Sequence, residues 1–320
     1  MLQCYDTQGR RHLLGPEEPI GPDAVWLDLH VPNRDEVRRV EALLGIEMPT
    51  VEEMAEIEVS SRLYREDDAV FMTASVLSKS EGEAPTSQAV SFVVGKGRLV
   101  TLRHSEPKPF QTYCQNILRH HETNLTAELV LAGLLDAIVD RLADILETAS
   151  AEMDRISGET FARSRNLNRV RDYSEILGRI GRCGNLIAKV KESLVSLGRL
   201  VAFASLTLTG KSNKALTSRL KTVARDIVSL NDHVNYLSNN VTFVLDATLG
   251  FISIEQSAII KIFSVVTFIF LPPTLVASIY GMNFRVMPEL DWSFGYPMAL
   301  GLMVVSAVLP WLFFKRRGWL

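Results

Sequence analysis

Two apolar runs near the C-terminal end limit what this chain can fold into more than any other feature. Ile262 to Ile279 is 18 residues without a charge, and Tyr296 to Phe314 is 19. Each is close to the roughly 20 residues an α-helix needs to cross a bilayer. The competing reading is a pair of buried core helices. Several cues favour the membrane. Trp292, Tyr296 and Trp311 lie near the ends of the second run, where interfacial aromatic residues collect. Lys261 precedes the first run and Lys315-Arg316-Arg317 follows the second. By the positive-inside bias both of those ends face the cytoplasm. The connection from Tyr280 to Gly295 then faces outside, with Arg285, Glu289 and Asp291 as its charges.

Neither run carries an ionisable side chain, whereas proton-coupled carriers need carboxylates or histidines inside the membrane. A passive route is the simpler expectation. Two helices cannot enclose a pore, so a conducting assembly must be an oligomer in which each subunit contributes one lining span. The first span is the better candidate. Ser257, Ile260, Ser264, Thr267, Leu271, Thr274 and Ser278 recur at spacings of three and four and place most of its hydroxyls on one stripe. The alternative is that these hydroxyls bond back to their own helix and pack on a neighbour. Pro272-Pro273 removes two backbone donors in mid-span, which is tolerable where the freed carbonyls face protein or water.

Upstream, the sequence reads as a soluble protein. Residues 1 to about 120 alternate strand and helix signals. Val25–Leu29, Ala69–Leu77, Ala89–Val94 and Arg98–Leu102 read as strands, the last two joined by Gly95-Lys96-Gly97. Asn33 with Glu36, and Thr50 with Glu53, are capping boxes that start helices. From Thr126 the pattern is helical, first to about Ser157 and then from about Asn166 to Leu206, with Thr209-Gly210-Lys211-Ser212 as a turn. Leu220, Val223, Ile227, Leu230, Val234, Leu237, Val241 and Val244 form a heptad seam, read either as a stalk or as a core helix packed inside one subunit. No proline interrupts Lys211 to Leu271, a stretch about 90 Å long if helical at 1.5 Å per residue. That exceeds what a globular domain needs and runs straight into the first apolar run.

Other function classes find little support. Net charge is −3, which gives no footprint for nucleic acid. Cys4, Cys114 and Cys183 are odd in number and far apart, so neither a disulfide framework nor a zinc site is expected. The first residues lack the pattern of a signal peptide, and the expectation is that the large N-terminal part stays in the cytoplasm. Thr209-Gly210-Lys211-Ser212 has Ser205 where a phosphate-binding loop needs its first glycine, and His120-His121-Glu122 lacks the second histidine of a zinc-protease helix. No motif points to an enzyme.

The external connection reads Tyr280-Gly281-Met282-Asn283-Phe284 and then Met287-Pro288-Glu289-Leu290. Together with the apolar run before it, Gly295-Tyr296-Pro297, the second run and the closing Trp319-Leu320, it resembles the CorA family of magnesium channels. That resemblance implies a funnel-shaped homopentamer, with an α+β cytoplasmic domain followed by long stalk helices and two transmembrane helices. It implies Gly281, Met282 and Asn283 as the selectivity entrance and Thr274, Leu271, Thr267, Phe263, Ile260 and Ser257 as pore-lining. Phe263 takes the place that the stripe gives to Ser264, and Ser257 stands where the family often has asparagine. Glu289 and Asp291 belong to the outer loop. The family closes on intracellular Mg2+ bound at acidic sites, for which Asp226, Asp232, Glu81 and Glu83 are the candidates here.

The expectation is therefore an inner-membrane, multi-pass influx channel with both termini in the cytoplasm. It is driven by the membrane potential, selects hydrated Mg2+ at an asparagine ring and is gated by intracellular Mg2+. Co2+ or Ni2+ are further cargo, and the partners are copies of itself, lipid and metal cations. Residues 1–122 form the α/β domain, 123–257 the helical bundle and stalk, and 258–320 the pore domain. The rivals are a zinc transporter of the related ZntB type, against which Met282 speaks, and a non-transporting membrane tether or sensor.

Overall fold

The structure is a computed structural model that describes residues 1–15, 18–56, 58–79, 85–120, 124–162, 173–208, 214–283, 287–288 and 292–319. The expected turn at 209–212 and the expected start of a helix at Asn166 lie outside these residues. Seven strands and eight helices follow in order: β1 (Leu2–Asp6), β2 (Arg11–Leu13), β3 (Ala24–His30), α1 (Arg34–Leu44), α2 (Val51–Ala55), α3 (Val59–Arg62), β4 (Leu63–Glu66), β5 (Ala69–Lys79), β6 (Thr86–Gly95), β7 (Arg98–Arg103), α4 (Lys108–His120), α5 (Ala127–Phe161), α6 (Tyr173–Thr207), α7 (Lys214–Tyr280) and α8 (Gly295–Arg316). They divide into two compact units, Met1–Leu245 and Asp246–Leu320.

In the first unit the strands make one sheet in the order β2-β1-β3-β7-β6-β5-β4. Only the central pair, β3 with β7, is parallel. Local chemistry explains much of it. Asn33 and Thr50 each accept from the main-chain N–H three residues on, and Glu36 and Glu53 answer the cap residues' own N–H, as the capping boxes require. Lys96 and Gly97 both take positive φ, 48° and 73°, the geometry of a tight hairpin turn between β6 and β7.

Alternation along the strands sends side chains to two cores. Trp26, Met72, Ala74, Val90, Phe92 and Leu99 pack with α4, α5 and α6, while Leu27, Leu29, Phe71, Val93 and Val100 pack with Val40, Leu44 and Met54 of α1 and α2. Between β3 and β7, Asp28 and Arg103 form a buried ion pair at 2.8 Å, and Thr101 donates to Asp28 while accepting from Trp26.

The seam of α7 closes the first core. Leu220, Val223, Ile227, Val234 and Leu237 lie in the same cluster as Leu131, Leu135, Ile138, Ile187, Val190, Leu194 and Leu197, and Val244 joins a second cluster with Met153, Ile156, Ile180 and Cys183. The heptad pattern thus buries itself in α5 and α6 of its own chain, which is the core-helix reading. Leu230 and Val241 are partly buried beside it.

Candidate functional site

Helix α7 has 67 residues, about 100 Å at 1.5 Å per residue, and continues through Pro272-Pro273. Two helices carry stretches apolar enough to cross a membrane, one in α7 and one being α8, and those stretches are only 6% and 11% buried. A soluble core helix of that hydropathy would be mostly buried. Apolar side chains left open at this density call for lipid or neighbouring subunits.

In the second unit α7 and α8 form an antiparallel hairpin. Phe268 meets Phe314 at 5.9 Å, and the Lys261 ammonium lies 5.1 Å from the Trp319 ring centre. At the other end, Ala277, Tyr280 and Gly281 share a cavity with Trp292, Gly295, Tyr296 and Ala299. Val265 is the buried residue of this part of α7, and Lys261, Ile269, Pro272 and Val276 beside it are half-buried. This is the face toward α8.

The opposite face stays open. Thr267, Leu271, Thr274 and Ser278 line one shallow groove together with Val266, Phe270 and Leu275. Ile260 and Phe263 are exposed along the same side, and Ser257 is exposed on the turn before them. At 3.6 residues per turn Phe263 points about 160° away from Val265, whereas Ser264 points only about 100° away and is half-buried. Phe263 therefore belongs to the open face and Ser264 to its flank.

Thr267 donates its hydroxyl proton to the Phe263 carbonyl at 2.9 Å, and Thr274 to that of Phe270 at 2.7 Å. The back-bonding alternative thus holds for both threonines. It does not remove them from a lining. A hydroxyl that donates inward keeps lone pairs to accept from outside, which suits the protons of a cation's hydration shell. Pro272 and Pro273 provide no N–H for the carbonyls of Phe268 and Ile269, which adds acceptors to the same turns.

The open face ends at the predicted entrance. Gly281 still donates to Ala277 at 2.9 Å, and Met282 donates to Ile279 at 3.3 Å as the last turn tightens. A Cβ at position 281 would stand 3.0 Å from the Ala277 carbonyl oxygen, a tight contact that a glycine avoids. Met282 and Asn283 follow, both exposed. The outer-loop candidates Glu289 and Asp291 lie outside the described residues.

The structure describes two of the four candidate regulatory carboxylates, Asp226 and Asp232. Glu81 and Glu83 lie outside the described residues, and Asp232 is exposed on α7. Asp226 has company: burial, with the charge of Asp226, raises the pKa of Asp136, and burial, with Asp136, Asp144 and Asp226, raises that of Asp140. The spacing Asp136, Asp140, Asp144 is itself legible as one helix face; its meeting with Asp226 is not. Among the described residues no three His, Cys, Asp or Glu side chains are arranged to hold a metal ion.

Comparison with known proteins agrees with this architecture. A family model described as CorA-like Mg2+ transporter protein matches residues 22–316. The chain is 37% identical to the magnesium transport protein CorA of Pasteurella multocida (strain Pm70) over 297 residues, covering 93% of this chain and 92% of that protein. It is 35% identical to the magnesium transport protein CorA of Escherichia coli (strain K12) over 322 residues, covering 100% of both. The solved CorA magnesium transporter of Methanocaldococcus jannaschii superposes with a TM-score of 0.79 at 20% identity, covering 100% of this chain and 99% of that one.

Proposed function

Because the chain belongs to the CorA-like Mg2+ transporter family, we propose that it assembles as a homopentamer in the inner membrane and conducts Mg2+ into the cell. The observation that carries this reading is the continuity of one open α7 face, with Thr267, Leu271, Thr274 and Ser278, into Gly281-Met282-Asn283. Five copies of that face would enclose a path lined by Ser257, Ile260, Phe263, Thr267, Leu271 and Thr274.

Mg2+ gives up its water reluctantly and demands octahedral oxygen geometry. A ring of Asn283 amide oxygens accepts hydrogen bonds from the ion's waters and leaves the shell in place. Being neutral, it holds the ion weakly enough to let it leave, where a carboxylate ring would retain it. Thr274 and Thr267 offer further acceptors along the way. An ion of charge two moving inward through 100 mV gains about 4.6 kcal/mol, at about 2.3 kcal/mol per charge, so no other energy source is needed. Both termini lie on the cytoplasmic side, as Lys261 and Lys315-Arg316-Arg317 indicate. Closure by intracellular Mg2+ would require Asp226 or Asp232 to meet carboxylates of a neighbouring subunit.

Purified protein in liposomes with an inside-negative potential tests the reading. Mg2+ enters, faster as the potential grows, and Co2+ or Ni2+ follows the same path. Entry of Zn2+ without Mg2+ would replace this reading with that of a zinc transporter, and no entry of any divalent ion would leave a tether.

A further inference from the structure

Strand β5 outruns its outer neighbour. β4 pairs with it only as far as Leu63 opposite Met72, while β5 runs on through Thr73 and Ser75. There helix α6 takes over the exposed edge. Ser193 donates to the Ser75 carbonyl at 2.7 Å, and the Ser75 N–H donates to the Ser196 hydroxyl at 3.0 Å. A helix cannot fill the place of a strand, and a cavity of about 410 Å3 remains between the end of α3, β5 and α6.

Its walls carry an imbalance of charge. Arg62, Lys191 and Arg199 line it against a single carboxylate, Glu192. Glu192 is already engaged outside that trio, accepting from Lys189 at 2.8 Å and from Ser87 at 3.3 Å. Lys191 donates to the neutral Asn235 side chain at 2.9 Å. Arg62 donates to Ser75 at 3.3 Å and to the main-chain carbonyl of Glu56. Among the described residues, none of the three cations has a carboxylate within ion-pair distance. Leu63 and Val195 supply an apolar wall beside them.

Arginine forks match the oxygens of a phosphate in pairs. Three cations against one carboxylate leave a surplus of two positive charges, which balances the roughly two negative charges of a phosphate monoester at pH 7. The volume lies within the range of small-molecule sites, about 300–1,000 Å3, and exceeds what inorganic phosphate would fill. We propose that this cavity binds a small organic phosphate the size of a nucleoside monophosphate, with its phosphoryl group on Arg62 and Arg199 and its organic part against Leu63 and Val195. The site lies in the Met1–Leu245 unit and is independent of the transport reading.

The test is titration calorimetry of the full chain in detergent, in chelator and without divalent ions, with AMP, adenosine and inorganic phosphate as probes. AMP binds, adenosine at least ten-fold more weakly because the phosphoryl group is gone, and inorganic phosphate more weakly than AMP. Arg199→Gln, at an exposed position, weakens AMP at least ten-fold while the circular dichroism spectrum is unchanged. Lys191→Gln, also exposed, provides a second check with a smaller loss. Absence of AMP binding, equal binding of adenosine, or an Arg199→Gln variant with unchanged affinity would overturn the proposal. So would an oligoglutamate peptide that displaces AMP at equal concentration, which would make the cavity a dock for acidic protein.

Discussion

The two ends of helix α7 contain similar residues and have opposite fates. From Leu220 to Leu237 its apolar residues recur every three or four positions, and every second or third neighbour is charged or polar. Leu220, Val223, Ile227, Val234 and Leu237 are buried against α5 and α6, with Leu230 partly buried beside them. From Ile262 to Ile279 apolar residues occupy all sides of the helix, and only Val265 is fully buried. A stripe can be covered by one pair of helices; a helix apolar all round needs a surrounding apolar solvent. The difference teaches that hydropathy alone does not separate a core from a membrane segment. What separates them is whether the chain itself has enough partners to cover the surface.

That contrast can be broken directly. Leu237→Ala in the covered half should cost about 2–5 kcal/mol, as a large-to-small change in a packed core, read as a lower denaturant midpoint. Leu271→Ala in the open half should change unfolding stability by no more than about 0.5 kcal/mol and act on Mg2+ flux instead. Equal effects would erase the distinction.

A second substitution sharpens the picture of how tightly the covered region is packed. Gly133 on α5 faces Tyr113 so closely that a Cβ there would lie 2.4 Å from the ring. Gly133→Ala should destabilise by about 1–3 kcal/mol through overpacking, read by thermal unfolding. Gly301 on α8 has open space around it, and Gly301→Ala should leave unfolding of the first unit unchanged.

The smallest effect concerns charge on the covered half's outer side. Asp136 and Asp140 have raised pKa values, from burial first; the charge of Asp226 comes next for Asp136, and after those of Asp136 and Asp144 for Asp140. A carboxyl whose folded pKa is raised costs stability while it is charged and regains it as pH falls toward that pKa. The window lies above the ordinary aspartate value of about 3.9. Asp226→Asn should therefore raise Tm at pH 7 by about 1 °C, the scale of exposed charge pairs, and the variant should gain less than the parent as pH falls toward the ordinary aspartate range.

The sequence was most legible where the chemistry is local. Asn33 with Glu36, Thr50 with Glu53 and the Gly95-Lys96-Gly97 turn each depend on neighbours within a few residues, and each is found as expected. Strands β1, β2 and β4 escaped notice because their pairing is decided elsewhere. β1 is buried at all five positions, so it shows no alternation, and β2 and β4 are short edges. The parallel pairing of β3 with β7 joins residues 73 apart, such as Trp26 and Leu99, and leaves no local trace. The seam of α7 announced a buried face without saying what buries it. At the open face the spacing rule chose Ser264 for its hydroxyl, while the direction of α8 gives that place to Phe263. Arg62 is far in sequence from Lys191 and Arg199, which share helix α6, and it lines the same cavity where β4 stops short of Thr73.

The central claim is that the open face of α7 delivers Mg2+ through a ring of Asn283. The most direct measurement is potential-driven Mg2+ uptake into liposomes by the parent and by Asn283→Ala, with subunit number checked by native mass. The account predicts that the variant assembles like the parent and loses at least nine-tenths of the uptake. A variant that assembles and transports Mg2+ at the parent's rate would contradict it.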